Sequence, residues 1–189
     1  MDALELLTAD HNRVRGLFSR FQAAEGSNDA MAQRLAATIF EELDVHTKIE
    51  EEIFYPAIKA CGEEIADLVA EGLEEHHVVD ALMTEAKGLD PSHEEWAAKL
   101  KVMIENVEHH AEEEEQELFT LVRKALNADA RSELGQRLEA MKAQLGAPTA
   151  ADKAHLSTEE LKGLAREQEI PGRSSMSRDE LLATVAPPG

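Results

Sequence analysis

Apolar residues recur at alternating spacings of three and four along most of the chain, the period of amphipathic helices rather than strands. In the first segment the stripe is Leu4, Leu7, Val14, Phe18 and Phe21, with His11 as its one polar member. The second segment carries Ile39, Leu43, Ile53 and Ala57, interrupted by His46 and Glu50. The third carries Ile65, Val69, Gly72, Val79, Met83 and Ala86 around His76. The fourth carries Trp96, Leu100, Met103, Val107, Leu118 and Leu121 around His110 and Glu114.

Turn and cap residues bound these segments. Helix A is predicted from about Ala3 to Glu25, stopping at Gly26-Ser27-Asn28. Helix B runs from Asp29 to Ala60 and closes at Cys61-Gly62, and helix C runs from Glu63 to Lys87 ahead of Gly88. Helix D opens at Asp90-Pro91-Ser92, a cap residue followed by proline in the first turn, and extends to Leu126. Asn127 caps a fifth helix ending near Gly146. Short connections make successive helices antiparallel neighbours. The fold class is all-α: an up-down-up-down four-helix bundle with an extra helix and a small C-terminal helical appendage.

Three regions follow: the bundle with its fifth helix at 1–146, a linker at 147–154 and the appendage at 155–189. The linker reads from Gly146-Ala147-Pro148-Thr149. The appendage holds two helix candidates, opened by the capping boxes Ser157/Glu160 and Ser177/Glu180. They flank the turn Ile170-Pro171-Gly172-Arg173-Ser174-Ser175.

The bundle contains a two-fold repeat. His11 recurs as His76, an offset of 65, and the pair His46/Glu50 recurs as His110/Glu114, an offset of 64. Helical register separates inward from outward histidines. His77 aligns with Leu73, Asp80 and Thr84, and His109 aligns with Glu105, Glu113 and Gln116, so both belong to the surface. The acidic runs at 50–52 and 112–115 read as solvated faces from which only Glu50 and Glu114 point inward. Asp10 and Glu75, each preceding a core-facing histidine, read first as surface charges and second as partners that support those histidines, and Tyr55 reads as a packing residue.

Four imidazoles and two carboxylates on one core are costly to bury without partners. Divalent cations satisfy them. In a His-x-x-x-Glu pair both side chains leave adjacent turns of one helix face and reach a common point. Two such pairs and two further histidines supply two imidazoles for each of two ions, with two carboxylates free to bridge. Imidazole and carboxylate together suit non-haem iron, with zinc and manganese as competitors. The candidate metal residues are therefore His11, His46, Glu50, His76, His110 and Glu114.

Charge narrows the partners. With 39 acidic against 19 basic residues the net charge is -20, which repels phosphate backbones and anionic membranes. A single cysteine, Cys61, suits a reducing compartment, and Met1-Asp2-Ala3-Leu4 lacks the features of a secretion signal. The expected location is the cytoplasm.

The order His, His-x-x-x-Glu, His, His-x-x-x-Glu resembles the hemerythrin-like (HHE cation-binding) domain over about Ala3 to Leu126. The resemblance implies a non-haem di-iron centre with an oxo or hydroxo bridge. It assigns one iron to His11 and His46 and the other to His76 and His110, with Glu50 and Glu114 bridging. Oxygen-carrying members have a further histidine one turn from the third-helix position, where this chain has Asp80 or Gly72. That departure resembles the four-histidine branch, which implies reaction with O2, peroxide or NO in stress response, peroxide decomposition included. A second reading is an iron or oxygen sensor without turnover, signalling through the appendage by contact with a protein partner or a second copy. A metal-free structural bundle ranks last. The tail from Leu156 to Val185 resembles small Rho-N-terminal and SAP-like modules, in which a docking role outweighs nucleic-acid binding because its basic residues are matched by acids.

Overall fold

The structure is a computed structural model, and it describes residues 1–148, 153 and 156–186. It is all-helical, with no strand among those residues. Helix α1 (Ala3–Ala24) opens on a capping box, Asp2 accepting from the backbone of Leu4 and Glu5. It packs along α2 (Asp29–Ile49), which Asn28 caps. After α2 a π-helical turn, Glu50–Phe54, leads into the short α3 (Tyr55–Ile58). Helix α4 (Glu63–Lys87) packs along α5 (Glu94–Glu113), which likewise runs through a π-helical turn, Glu114–Leu118, into α6 (Phe119–Ala125). Helix α7 (Ala128–Gln144) is capped by Asn127 as expected and lies across α1, α2 and the first π turn.

Two local expectations fail for identifiable reasons. The fourth helix starts at Glu94, not Asp90, because the Asp90 side chain is spent on Ser92, accepting from its backbone N–H at 2.9 Å and its hydroxyl at 2.8 Å. That closes a turn where a helix cap was expected. The inward stripe also slips by one residue after each glutamate. A π turn inserts one residue per turn through i→i+5 bonds, here Tyr55 N–H to Glu50 O and Phe119 N–H to Glu114 O. Phe54, Ile58 and Val122 are therefore fully buried, while the expected Ile53, Ala57 and Leu121 are half-buried. Pro56 is not the common cause, since Thr120 holds the equivalent place in the second half.

The core is split by a polar layer. One apolar cluster contains Val14, Phe18, Phe21, Leu43, Val79, Trp96 and Met103. The other contains Leu4, Leu7, Phe54, Ile58, Val69, Phe119 and Val122, sealed by Leu134 and Leu138 of α7. The histidines lie between the two.

In the appendage, α8 (Thr158–Glu167) and α9 (Arg178–Thr184) begin at the two expected capping boxes. They close over Leu161, Ala165, Ile170, Leu181 and Val185. Helix α9 rests on α1. Gly16 of α1 admits the turn that follows α8: a Cβ there would lie 2.6 Å from Gln168 O. Between bundle and appendage, the linker expected at 147–154 falls mostly outside the described residues. Because α7 and the appendage cover α1 from outside, Asp10 and Arg13 are buried along with the expected stripe. Asp10 is thus not a surface charge.

Candidate metal centre

The six residues singled out by register come together in the polar layer, all buried. His11 Nε2 lies 3.1 Å from His46 Nε2, and His76 Nε2 lies 3.1 Å from His110 Nε2. Glu50 Oε2 sits between the two pairs, 3.3 Å from His46 Nε2 and 3.4 Å from His76 Nε2. Glu114 Oε2 is 3.6 Å from His11 Nε2. Donor atoms of His11, His46, Glu50 and Glu114 all lie within 4.8 Å of one another, and so do those of Glu50, His76 and His110. Glu50 is common to both groups.

The outer edges of the rings explain why the inner nitrogens face each other. His11 Nδ1 meets Glu115 Oε1 at 2.7 Å, His76 Nδ1 meets Glu51 Oε1 at 2.9 Å, and His110 Nδ1 meets Glu75 Oε2 at 2.7 Å. For His46 the facing group is Asp10 Oδ2 at 3.8 Å, within ion-pair range but beyond a hydrogen bond. An ionised carboxylate only accepts, so it places the ring hydrogen on Nδ1 and leaves Nε2 as a lone pair. Paired imidazole lone pairs 3.1 Å apart repel unless a cation lies between them and the carboxylates. Carboxylate support of this kind orients metal-binding histidines generally.

Electrostatics lead to the same requirement. Burial pushes the Glu50 and Glu114 carboxyls well above the usual range; the negative charges of Asp10 and Glu51 raise Glu50 further, and that of Glu50 raises Glu114. Burial depresses the His11 imidazole against the opposing pull of Glu115, and takes His46 down to about 3. Burial would raise Asp10 too, but Lys142, His46 and Arg13 overcome it and hold Asp10 well below the carboxylate range. Among the described residues, neither oxygen of Glu50 nor Oε2 of Glu114 has a hydrogen-bond partner. Orphaned acceptors of this depth fit a bound divalent cation, whose charge reverses the burial penalty.

Glu51, Glu115, Asp10 and Glu75 all face histidines, which is the lesser of the two readings for Asp10 and Glu75 and one that register does not give for Glu51 and Glu115. Glu51 and Glu115 belong to runs expected to be solvated, and Glu115 is further held by Arg15 at 2.9 Å. The repeat holds the signal that finds them, since Glu51 and Glu115 stand 64 apart and Asp10 and Glu75 stand 65 apart. Tyr55 does pack, stacked on the His76 ring at 5.6 Å, but its hydroxyl also donates to Glu114 Oε1 at 3.0 Å. Burial, then Glu50 and Glu114, push its phenol well above the ordinary value, so it stays protonated. His77, His109 and Asp80 are exposed, as the register analysis expected.

An all-α bundle with clustered histidine and glutamate donors in its core defines a cation-binding helical domain. The hemerythrin HHE cation-binding domain matches residues 2–122. The chain belongs to that family. It is 31% identical over 156 residues to the Mycobacterium tuberculosis protein Rv2633c, a match spanning 78% of this chain and 90% of the relative. It is 27% identical over 146 residues to a protein named DNA nickase from Nostoc sp., covering 77% of this chain and 40% of that one. The chain thus spans about two fifths of the cyanobacterial relative's length. Its fold is shared with the crystal structure of an HHE domain-containing Rv2633c homolog from Mycobacterium kansasii. The TM-score is 0.66 at 22% identity, over 98% of this chain and 99% of that one. No helix among the described residues is long and apolar enough to cross a membrane.

Proposed function

We propose that His11, His46, Glu50, His76, His110 and Glu114 hold two iron ions and that the pair reacts with O2, peroxide or NO in oxidative or nitrosative stress response in the cytoplasm. The observation that carries this reading is Glu50: fully buried, both oxygens unpartnered, and reaching both histidine pairs. Two adjacent iron ions supply two-electron redox chemistry, sufficient to convert two H2O2 into two H2O and one O2.

The protein's own groups do the rest. Glu115, Glu51 and Glu75 fix the tautomers of His11, His76 and His110 through Nδ1, so the Nε2 atoms of those three rings face inward as acceptors beside His46 Nε2. Tyr55 holds Glu114 by one oxygen and keeps a proton at Oη beside the centre. On the opposite side, a cavity bounded by the four histidines is walled by Val14, Phe18, Leu43, Val79 and Val107. Such walls favour a small neutral ligand and exclude bulk water. The His11 ring lies parallel to Phe119 with centroids 6.2 Å apart, which closes the first pair on its apolar side.

Metal analysis of the untreated full chain tests the reading. About two irons per chain, reduced in His110→Ala together with O2 evolution from peroxide, is the expected result. Protein purified without metal, unable to take up iron, would refute it.

A second reading draws on one contact chain. His46 faces Asp10, Asp10 pairs with Lys142 of α7, and both border the cleft beneath Leu182 and Ala183 of α9. A metal sensor whose appendage, taken as a unit from residue 155, changes its docking on α1 would use this path. Metal-dependent hydrogen exchange in α8 and α9 without turnover would favour it.

A further inference from the structure

Among the positions at which the two halves of the repeat differ, five lie on one side of the centre; at four of them an apolar residue gives way to glycine or a titratable residue, and the fifth keeps its acid. The first half has Leu6, Leu7, Asp10, Val45 and Ile49; at the matching places the second has Glu71, Gly72, Glu75, His109 and Glu113. In the first half α7 covers this surface: Leu6, Leu7 and Ile49 are buried with Leu134 and Leu138, and Lys142 neutralises Asp10. In the second half no helix among the described residues covers it. A narrow cleft there has Glu71, Glu75 and Glu113 at its mouth and Tyr55, His110 and Glu114 at its floor.

Gly72 keeps the cleft open. A Cβ at that position would lie 3.0 Å from Tyr55 Oη and 3.4 Å from His110 Cε1, so any side chain would plug the passage against those two groups. At the mouth, donor atoms of Glu75, His109 and Glu113 lie within 4.8 Å of one another. His109 Nε2 is 3.4 Å from Glu113 Oε1, and the ion pairs of Glu75 and Glu113 are with histidines, not with lysine or arginine. At the floor lies the buried Glu114, its Oε1 held by Tyr55 Oη and its Oε2, without a hydrogen-bond partner among the described residues, turned inward to His11 Nε2 at 3.6 Å. Glu75 joins the two levels, since the carboxylate that faces His109 and Glu113 also accepts from His110 Nδ1 at 2.7 Å.

We infer that Glu75, His109 and Glu113, with Glu71 beside them at the cleft mouth, form an outer divalent-cation site that loads the buried centre through the cleft kept open by Gly72. This rests on the metal-binding reading above. Oxygen donors with one imidazole suit a transiently held, hydrated dication, and a ring of carboxylates raises its local concentration. Passage inward replaces exposed carboxylates with His110 and the unpartnered oxygen of Glu114.

The test is stopped-flow uptake of Co2+ alone by metal-free full-length protein, followed by the visible absorption of the bound ion. The triple variant Glu71→Gln/His109→Ala/Glu113→Gln is compared with wild type and with a charge-matched control, Glu41→Gln/Glu94→Gln, on distant exposed positions. The inference expects about tenfold slower loading in the triple variant, with weakened ionic-strength dependence and the same final Co2+ per chain. Loading as fast as in the control overturns it while leaving the buried centre intact. Wild type that binds no Co2+ overturns the metal-binding reading, and this inference with it.

Discussion

Tyr55 Oη donates to Glu114 Oε1 at 3.0 Å, whereas Phe119, which holds the equivalent place in the other half, offers Glu50 no hydrogen bond. The repeat is therefore symmetric in its candidate metal residues and asymmetric in what steadies its carboxylates. Glu114 is tethered at one oxygen, and Glu50 is left with neither oxygen satisfied.

Tyr55→Phe removes that tether without changing the packing volume. In the metal-free protein it leaves Glu114 Oε1 buried with no partner, a loss of about 1–3 kcal/mol. Urea unfolding of the two metal-free proteins measures it, and equal midpoints would contradict the bond's role.

Glu50→Gln has opposite effects on stability and binding. Replacing a buried carboxylate that lacks partners relieves a desolvation penalty, so the metal-free variant gains about 1–3 kcal/mol. The same change removes the one carboxylate shared by both donor groups and abolishes uptake of the second ion. Thermal unfolding and metal content, measured on one preparation, read both effects.

The pH dependence follows from the raised glutamates and depressed histidines. Glu50 and Glu114 have folded values above the ordinary 4.5, so the metal-free fold holds protons that the unfolded chain has released. Their contribution is full below that value and is lost as pH rises through the folded values. His46, brought down to about 3 from 6.5, and His11, also lowered, act oppositely, destabilising the fold as pH falls below 6.5. Metal-free stability therefore passes through a maximum between these limbs. Metal uptake requires the carboxylates ionised and so releases protons, increasingly as pH falls. Calorimetry in buffers of different ionisation enthalpy detects the release; uptake without it would be inconsistent with the protonated glutamates.

Lys142→Met leaves Asp10 buried and unpaired beside Arg13 and His46, and costs about 3–5 kcal/mol. Adding Asp10→Asn recovers most of it, because the charge is removed with its partner. Additive losses in the double variant, by chemical denaturation, would show that the pair is not coupled.

Gly16→Val forces the Gln168–Ile170 segment away from α1, since even a Cβ meets Gln168 O at 2.6 Å. The appendage should detach while the bundle persists. Hydrogen exchange should rise in α8 and α9 but stay protected around Leu100 and Met103; unchanged exchange in the appendage would place its docking elsewhere.

Much of the centre was legible in one dimension because a helix converts spacing into direction. All seven stripe positions of the third helix, Ile65 through Ala86 with His76 among them, are the buried residues of α4. Likewise His77 and His109 could be set apart from His76 and His110 by register alone. The π turns were not legible, because their hydrogen-bond shift depends on holding Glu50 and Glu114 toward the middle while the helix continues; only beyond them does the stripe move to Phe54 and Val122.

Periodicity, a local property of the backbone, is enough to mark the helices, the two-fold repeat and the six inward donors. Packing between helices is what buries Asp10 under α7, turns Glu51, Glu75 and Glu115 back onto histidines of neighbouring helices, and lays α7 over one flank while its repeat stays uncovered. Those outcomes depend on which helix lies against which, and a charged residue on a helix face carries no mark of whether water or another helix will cover it.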